Sequence, residues 1–505
     1  MQKNILTIFP YYLLLMAIAP TVSLLATNYR QINPQNIIRP VILSMVLALG
    51  TYYFLLRVMR EKNKAGIFGT AFIFVVLNYG RAHIYLQEHT NMITEVGNLI
   101  HLFLGFFALG ILLVVFRALE RFPRIDTLPI YAICLTLIIL PSYNIAEIIF
   151  QQQRTFSPKK VEINISESHP PLPDIYHIVV DAYSREDYLA SIGYDNTEFL
   201  NFLRSQGFYI ADCSKSNYPR TALSLASMLN LEYLWQIFPD KDQWARDDAA
   251  VYGALSNNLV HNVLRQQGYQ FVTTVNGYYW SEHTKFADVI VAPESKGILT
   301  PYLLPIERKF IENSAFRVLL DFGDLKELKN GYLLHGEHYE QVMVALDSLK
   351  AIPQISEPTY SYFHLTVPHD PYIFSPDGEI APEIEGHEGY LRNIKFINNQ
   401  LMPIISEIIQ TSDIPPVILL HGDHGYASKS TDKYLILFAL FLPNNSSTLY
   451  QTLSPINAYR VIFNEVFNMN FTLLSDKSIQ ADIGGPFRRT EVQFSLEDSI
   501  CPKTN

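Results

Sequence analysis

The stretch best equipped for chemistry is Val417-Ile-Leu-Leu-His-Gly-Asp-His-Gly425, where an apolar run ends on a carboxylate and an imidazole placed side by side. An oxygen and a nitrogen ligand together suit zinc or manganese. Gly422 and Gly425 bracket the pair, and glycine lets a backbone turn sharply and approach a ligand closely. A plain surface turn is the alternative, but it accounts for neither the bracketing nor the pairing. His421 reads as a strand end or as a partner of the ligands.

Three further segments carry groups of the same kind. Asp174-Ile-Tyr-His-Ile-Val-Val-Asp181 ends an apolar run on a carboxylate that could bind a cation, although Asp after a strand is ordinarily a turn residue. In Tyr218-Pro-Arg-Thr221, Pro219 breaks any preceding helix and Thr221 is placed to open a new one. A hydroxyl at the positive end of a helix dipole becomes a nucleophile once a metal or base takes its proton, and the same end favours an incoming phosphate. Simple helix capping is the competing reading of Thr221. In Tyr362-Phe-His-Leu-Thr-Val-Pro-His-Asp-Pro-Tyr372, His369 is locked between Pro368 and Asp370-Pro371, which suits a group that meets a ligand without rearranging. His364 still lies in the strand and fits a substrate contact or a buried, hydrogen-bonded imidazole. Arg220 and Lys429 are cations placed to meet substrate oxygens, with an ordinary surface lysine the alternative for Lys429. His335 and His338 read as the solvated face of a helix.

These residues need a scaffold that brings strand ends together. From residue 174 onward, short apolar runs alternate with longer helical patterns. Strands are expected at 175–180, 208–211, 271–275, 289–292, 360–365, 417–420 and 435–442, and helices at 196–206, 221–229, 258–267, 336–350 and 388–411. That alternation predicts an α/β sandwich around a mostly parallel sheet, whose sites collect beyond the carboxyl ends of the strands.

The first 150 residues differ in kind. Five apolar runs, at 5–26, 38–58, 65–86, 96–116 and 128–150, are each about the roughly 20 residues that cross a bilayer. The third is the weakest, because Asn78, Gly80, Arg81 and His83 interrupt it. Residues 1–150 carry 11 Lys and Arg against 6 Asp and Glu, so the remainder carries −15 of the formal net charge of −10. An acidic second half has no electrostatic footprint for nucleic acid. The basic loops after the second and fourth runs belong in the cytoplasm by the positive-inside bias, which places everything after residue 150 outside. A cleaved signal peptide in place of the first span would leave the same outcome. The expected domains are therefore a transmembrane domain at 1–150, a polar, proline-punctuated linker at 151–173 and an extracytoplasmic catalytic domain at 174–505. Glu88, His83 and His89, in the external third loop, could contact a lipid headgroup. Of three cysteines, Cys134 falls in the fifth span, and Cys213 and Cys501 are placed where they could pair.

The four segments, in this order, resemble the sulfatase-like branch of the alkaline phosphatase superfamily, over roughly residues 174–440. Five spans followed by an external domain resemble the membrane-anchored lipoteichoic acid synthases and phosphoethanolamine transferases, and Thr221-Ala-Leu-Ser224 is similar to the nucleophile segment of the latter. The resemblance implies that Asp181, Thr221, Asp423 and His424 ligate a divalent metal and that Thr221 attacks phosphorus. It gives His369 the task of holding substrate, binding a second metal or protonating the leaving group. Asp181 stands where those transferases use Glu, which is more like the hydrolytic sulfatases. Ser216 precedes Arg220 by four, but Pro219 falls one place late for a formylglycine frame, and a threonine cannot become formylglycine. Phosphoryl chemistry is therefore favoured over sulfate hydrolysis.

Three functions remain open on these grounds. One is a transferase moving a phospho-linked group from a membrane lipid donor to an envelope glycan or glycolipid acceptor through a phospho-threonine. Another is a phosphoester or sulfuric ester hydrolase on the same scaffold, and the third is a catalytically inactive membrane scaffold. Retention of all four ligands argues against the last.

Overall fold

The structure is a computed structural model that describes residues 9–494, except 30–31, 90–96, 123–124, 153–157, 159–170, 246, 279, 295–296, 298–299, 323–330, 427–430, 444–447 and 482–484. It divides into two compact units, one of residues 1–150 with 296–334 and the other of 151–295 with 335–505. Most of the expected linker, and Cys501, lie outside the described residues. Cys213 is disulfide-bonded and Cys134 is free.

The first unit holds five helices long and apolar enough to cross a membrane: α1 (Tyr11–Asn28), α2 (Ile38–Met59), α3 (Lys62–His89), α4 (Gly97–Arg121) and α5 (Leu128–Gln152). The polar residues in the third run do not break it. Gly80 sits where a Cβ would lie 2.0 Å from the Glu312 carbonyl oxygen, so glycine is required for a close backbone approach. His83 is buried, and Ala315 N–H donates to the Val76 carbonyl of α3. Residues 300–322 thus pack with the helices, and the second unit is interrupted in sequence where composition alone sets a single boundary. The helix Pro305–Asn313 buries Ile306 and Phe310, while Arg39 pairs with Glu307 at 3.0 Å. Its mixed composition matches neither a span nor a strand, so nothing in the apolar pattern assigns it to the bundle.

The second unit is built on seven strands: β1 (Ile175–Val180), β2 (Tyr209–Ile210), β3 (Gln270–Thr274), β4 (Val289–Val291), β5 (Thr359–Leu365), β6 (Val417–His421) and β7 (Phe438–Phe441). Their order is β2-β7-β6-β1-β5-β3-β4, parallel from β6 to β4, with β7 antiparallel to both β6 and β2. The central strands are buried on both faces, as parallel strands covered by helices must be. Alternate residues divide between two cores. Ile175, Val179, Val417 and Leu419 face the layer holding helices Thr221–Leu229 and Pro455–Phe467, whereas Tyr176, Ile178, Val180, Ile418 and Leu420 face the layer holding Gly386–Thr411. Strand β1 lies between β5 and β6, so the sheet reverses its direction of growth there and leaves a crevice beyond its carboxyl end.

Substituting Gly80 by Leu should prevent 305–322 from seating, because the opposing atom is backbone and cannot turn aside. The expected cost is about 1–3 kcal/mol. Limited proteolysis of the full chain in detergent should then cut within 296–334 several-fold faster than in wild type, and unchanged cleavage would contradict the packing described.

Candidate active site

Three adjacent parallel strands deliver the site. Asp181 follows β1, His364 stands near the end of β5 with His369 in the loop beyond it, and Asp423 and His424 follow β6. The turn after β1 is pinned in an unusual conformation. Ala182 has φ 62°, its N–H donates to Asp423 Oδ1 at 3.1 Å, and its carbonyl accepts from Tyr390 OH at 2.9 Å. A non-glycine residue held in the left-handed region costs on the order of 1–3 kcal/mol, so surrounding contacts must fix it. His369 N–H also donates to the Asp181 carbonyl, which ties the β5 loop to the same turn.

Hydrogen bonds settle the histidine tautomers. Tyr278 N–H donates to Asn276 Oδ1, which orients that amide so that its Nδ2 donates to His364 Nδ1 at 3.1 Å. His364 Nε2 therefore carries the proton and donates to Asp181 Oδ2 at 3.1 Å. His424 Nδ1 donates to the Gly425 carbonyl at 3.0 Å, so Nε2 is the ring nitrogen that faces the carboxylates. That nitrogen lies 3.5 Å from Asp181 Oδ1 and 3.6 Å from Asp423 Oδ2. Both oxygens are buried and neither has a hydrogen-bond partner. Two buried, unpartnered carboxylate oxygens thus flank one imidazole nitrogen.

This is the arrangement a cation satisfies. With zinc bonds of about 2.0–2.2 Å, tetrahedral ligand atoms sit roughly 3.4 Å apart, close to the two separations from His424 Nε2. Asp181, His369 and His424 come close enough together to hold an ion, as do Asp181, His364 and Asp423, but His364 already spends both ring nitrogens on Asn276 and Asp181. Burial alone would raise the pKa of Asp181, but His369, His364 and His424 together hold it well below the usual carboxylate range. Burial opposes charge on His369, yet Asp181 and the adjacent Asp370, whose Oδ1 lies 2.8 Å from Nδ1, push it up to about 10. Its side chain is 35% exposed, so it can reach a ligand from solvent.

Other expectations change in detail. His364 is 1% exposed, so it supports Asp181 and does not face substrate. Thr221 opens the helix Thr221–Leu229 at its first position, but the N-cap is Arg220 and no side-chain capping bond forms, which removes the capping reading. That helix packs on the sheet face bearing Val179 and Leu419, and no hydrogen bond joins Thr221 to the five residues of the cluster among the described residues. Arg220 is turned to Asp248 at 3.8 Å, both half-exposed. Lys429 lies outside the described residues. Ser216 is buried, donating to the Tyr218 carbonyl. The glycine bracketing has a packing origin: a Cβ at Gly422 would lie 2.4 Å from the Tyr183 carbonyl, and one at Gly425 would lie 2.5 Å from that of Leu435. His421 is paired with His177 at 2.9 Å inside the sheet.

Two groups escape the sequence reading. His335 is buried against Glu383 at 3.3 Å, not solvated, and His338 Nδ1 lies 3.3 Å from Thr366 Oγ1, in the loop that carries His369. Asn276 orients His364 from the loop after β3, and an Asn-Gly pair at a strand end was its only signal.

No protein-family model matches the chain, and no curated protein matches its sequence. Among solved structures it is similar to the C-terminal periplasmic domain of EptC from Escherichia coli in complex with zinc, with 12% identity over 64% of this chain and 96% of that one, TM-score 0.38. It is also similar to the soluble domain of lipooligosaccharide phosphoethanolamine transferase A from Neisseria meningitidis, with 11% identity over 62% and 93%, TM-score 0.39. A third is a protein in the alkaline phosphatase superfamily from Vibrio parahaemolyticus, with 11% identity over 66% and 81%, TM-score 0.38.

Proposed function

We propose that this protein is a membrane-anchored, metal-dependent transferase that moves a phospho-linked group from a lipid donor to an envelope acceptor through a phospho-threonine, with its α/β unit outside the cytoplasm. The observation that carries the reading is that Asp181 Oδ1 and Asp423 Oδ2, both buried and without a hydrogen-bond partner, lie 3.5 and 3.6 Å from His424 Nε2. Asp181, Asp423 and His424, joined by Thr221, would hold the metal. A divalent cation bound there supplies charge neutralisation for a phosphoryl group and lowers the pKa of a nearby hydroxyl.

The chain's own residues do the rest. Thr221 gives up its hydroxyl proton as Oγ1 attacks phosphorus, the bond from phosphorus to the lipid alcohol oxygen breaks, and that oxygen leaves with a proton. The start of the helix Thr221–Leu229 favours the negative charge that gathers there. His369, cationic and steered by Asp370, holds a phosphoryl oxygen or gives the leaving oxygen its proton. An acceptor hydroxyl then displaces Thr221 and loses its proton, so one difficult substitution becomes two easier ones. His364 acts through Asp181 as a positioning residue.

The test is the intact mass of the full chain, wild type and Thr221→Ala, after incubation with divalent metal and membrane phospholipids. A mass gain in wild type that is absent from Thr221→Ala is expected, and its size names the group transferred. Metal bound with no adduct, but release of phosphate to water, would replace the transferase by a hydrolase. Removing the Asp181 support, His364→Phe, should weaken divalent metal affinity about 10–100-fold in a chelator competition. An unchanged affinity would show that the contact to Asp181 orients nothing.

A further inference from the structure

Two adjoining cavities lie in the helical unit. One, of about 260 Å³, runs between α1, α3 and α5, lined largely by apolar groups including Met16, Ala19, Leu137 and Leu140. The other, of about 420 Å³, has a mixed lining that includes Lys309, Glu88 and Asn313. They share Ser23, Thr27 and Arg81, so Arg81 stands where the apolar cavity meets the second one. Leu137 and Leu140 are 40% and 60% exposed on α5, which leaves the apolar cavity open on the side of the bundle that would meet lipid.

Arg81 is the informative residue. Its guanidinium donates to the Pro20 carbonyl at 3.1 Å and lies 3.4 Å from Ser23 Oγ, two neutral partners. Neither Arg81 nor Lys309 has a carboxylate within ion-pair distance among the described residues. A charged residue within a membrane-spanning helix is costly and ordinarily marks a ligand or pathway. Arg81, where the apolar slot meets the second cavity, and Lys309 within that cavity have no ion pair among the described residues, which is complementary to an anion that carries a hydrocarbon chain. Glu88 lines the same cavity, so the pattern of two cations and one carboxylate fits a phosphodiester and not a multiply charged phosphate.

We infer that this is a glycerophospholipid-binding site, with the phosphodiester held by Arg81 and Lys309 and an acyl chain between α1 and α5. Arg81 offers the forked, charge-assisted bonds that phosphate takes best. The site lies within the helical unit and does not depend on the chemistry proposed for the α/β unit.

The experiment is native mass spectrometry of the metal-free full chain in detergent, titrated with dioctanoyl phosphatidylcholine, dioctanoylglycerol or glycerophosphocholine. One saturable equivalent of the phospholipid is expected, with binding of the other two at least about tenfold weaker, because each lacks one half of the recognised ligand. Arg81→Gln and Leu137→Trp should each weaken phospholipid binding by about tenfold, the first through the phosphate and the second through the acyl chain. Leu137 and Lys309 lie at exposed positions, so Leu137→Trp and Lys309→Gln decide the matter should Arg81→Gln fail to fold. Wild-type affinity in Leu137→Trp and Lys309→Gln would overturn the site. Glycerophosphocholine binding as tightly as the phospholipid would overturn its assignment to a lipid.

Discussion

Two carboxylates buried side by side at the ends of neighbouring parallel strands set the terms for the α/β unit. Asp181 and Asp423 are 4% and 0% exposed, and each keeps one oxygen without a hydrogen bond. Removing charge from water costs several kcal/mol per ion unless partners offset it, and like charges held together add to that. Part of the offset is visible in the chain. His364 donates to one oxygen of Asp181, Ala182 N–H donates to one of Asp423, and His369 supplies positive charge nearby. The remaining pair of oxygens lies beside Nε2 of His424 without a hydrogen bond, and a divalent cation is the simplest species that offsets two buried carboxylates.

Much of the surrounding structure serves to hold this arrangement. The left-handed turn at Ala182 brings its N–H to Asp423, and Tyr390 on the long helix Gly386–Thr411 fixes the same turn from the other side. Gly422 and Gly425 are small because carbonyls of adjoining loops press against them. The switch in strand order at β1 is what allows one crevice to collect side chains from β5, β1 and β6 at once. A mechanism that develops charge on a phosphoryl group benefits from such preorganisation, since the ligands need not move when charge appears.

The strands were the most legible part of the fold. Runs such as Ile175–Val180 and Val417–His421 are apolar throughout because both faces are covered, and their ends fall where Asp and His begin. Asp423 and His424 stand out because a carboxylate and an imidazole fall side by side after an apolar run, and His369 because prolines fix the loop on either side of it, whereas Asp181 alone reads equally as a turn residue. His335 and His338 were misread because a helix face shows its partners only once the chain is folded, and Glu383 and Thr366 are distant in sequence. Asn276 was missed because an Asn-Gly pair after a strand is ordinary turn chemistry. The helix Pro455–Phe467, almost wholly buried, went unassigned because its polar residues Asn457 and Arg460 break the apolar stripe, and both prove to be bonded internally. The packing of 300–322 with the apolar helices has no local signal, since its contacts, Gly80 against the Glu312 carbonyl and Arg39 with Glu307 among them, join segments distant in sequence.

The central claim is that a cation stabilises the buried carboxylate pair, and thermal unfolding of the full chain tests it most directly. Wild type, freed of metal by chelator, should melt several degrees lower than with zinc or manganese restored, because a ligand that binds only the folded state stabilises it. Asp423→Asn, with one buried charge removed, should lose most of that response and match or exceed the metal-free wild type. A wild-type melting temperature indifferent to chelator and to added metal, with Asp423→Asn no more stable than metal-free wild type, would contradict the account.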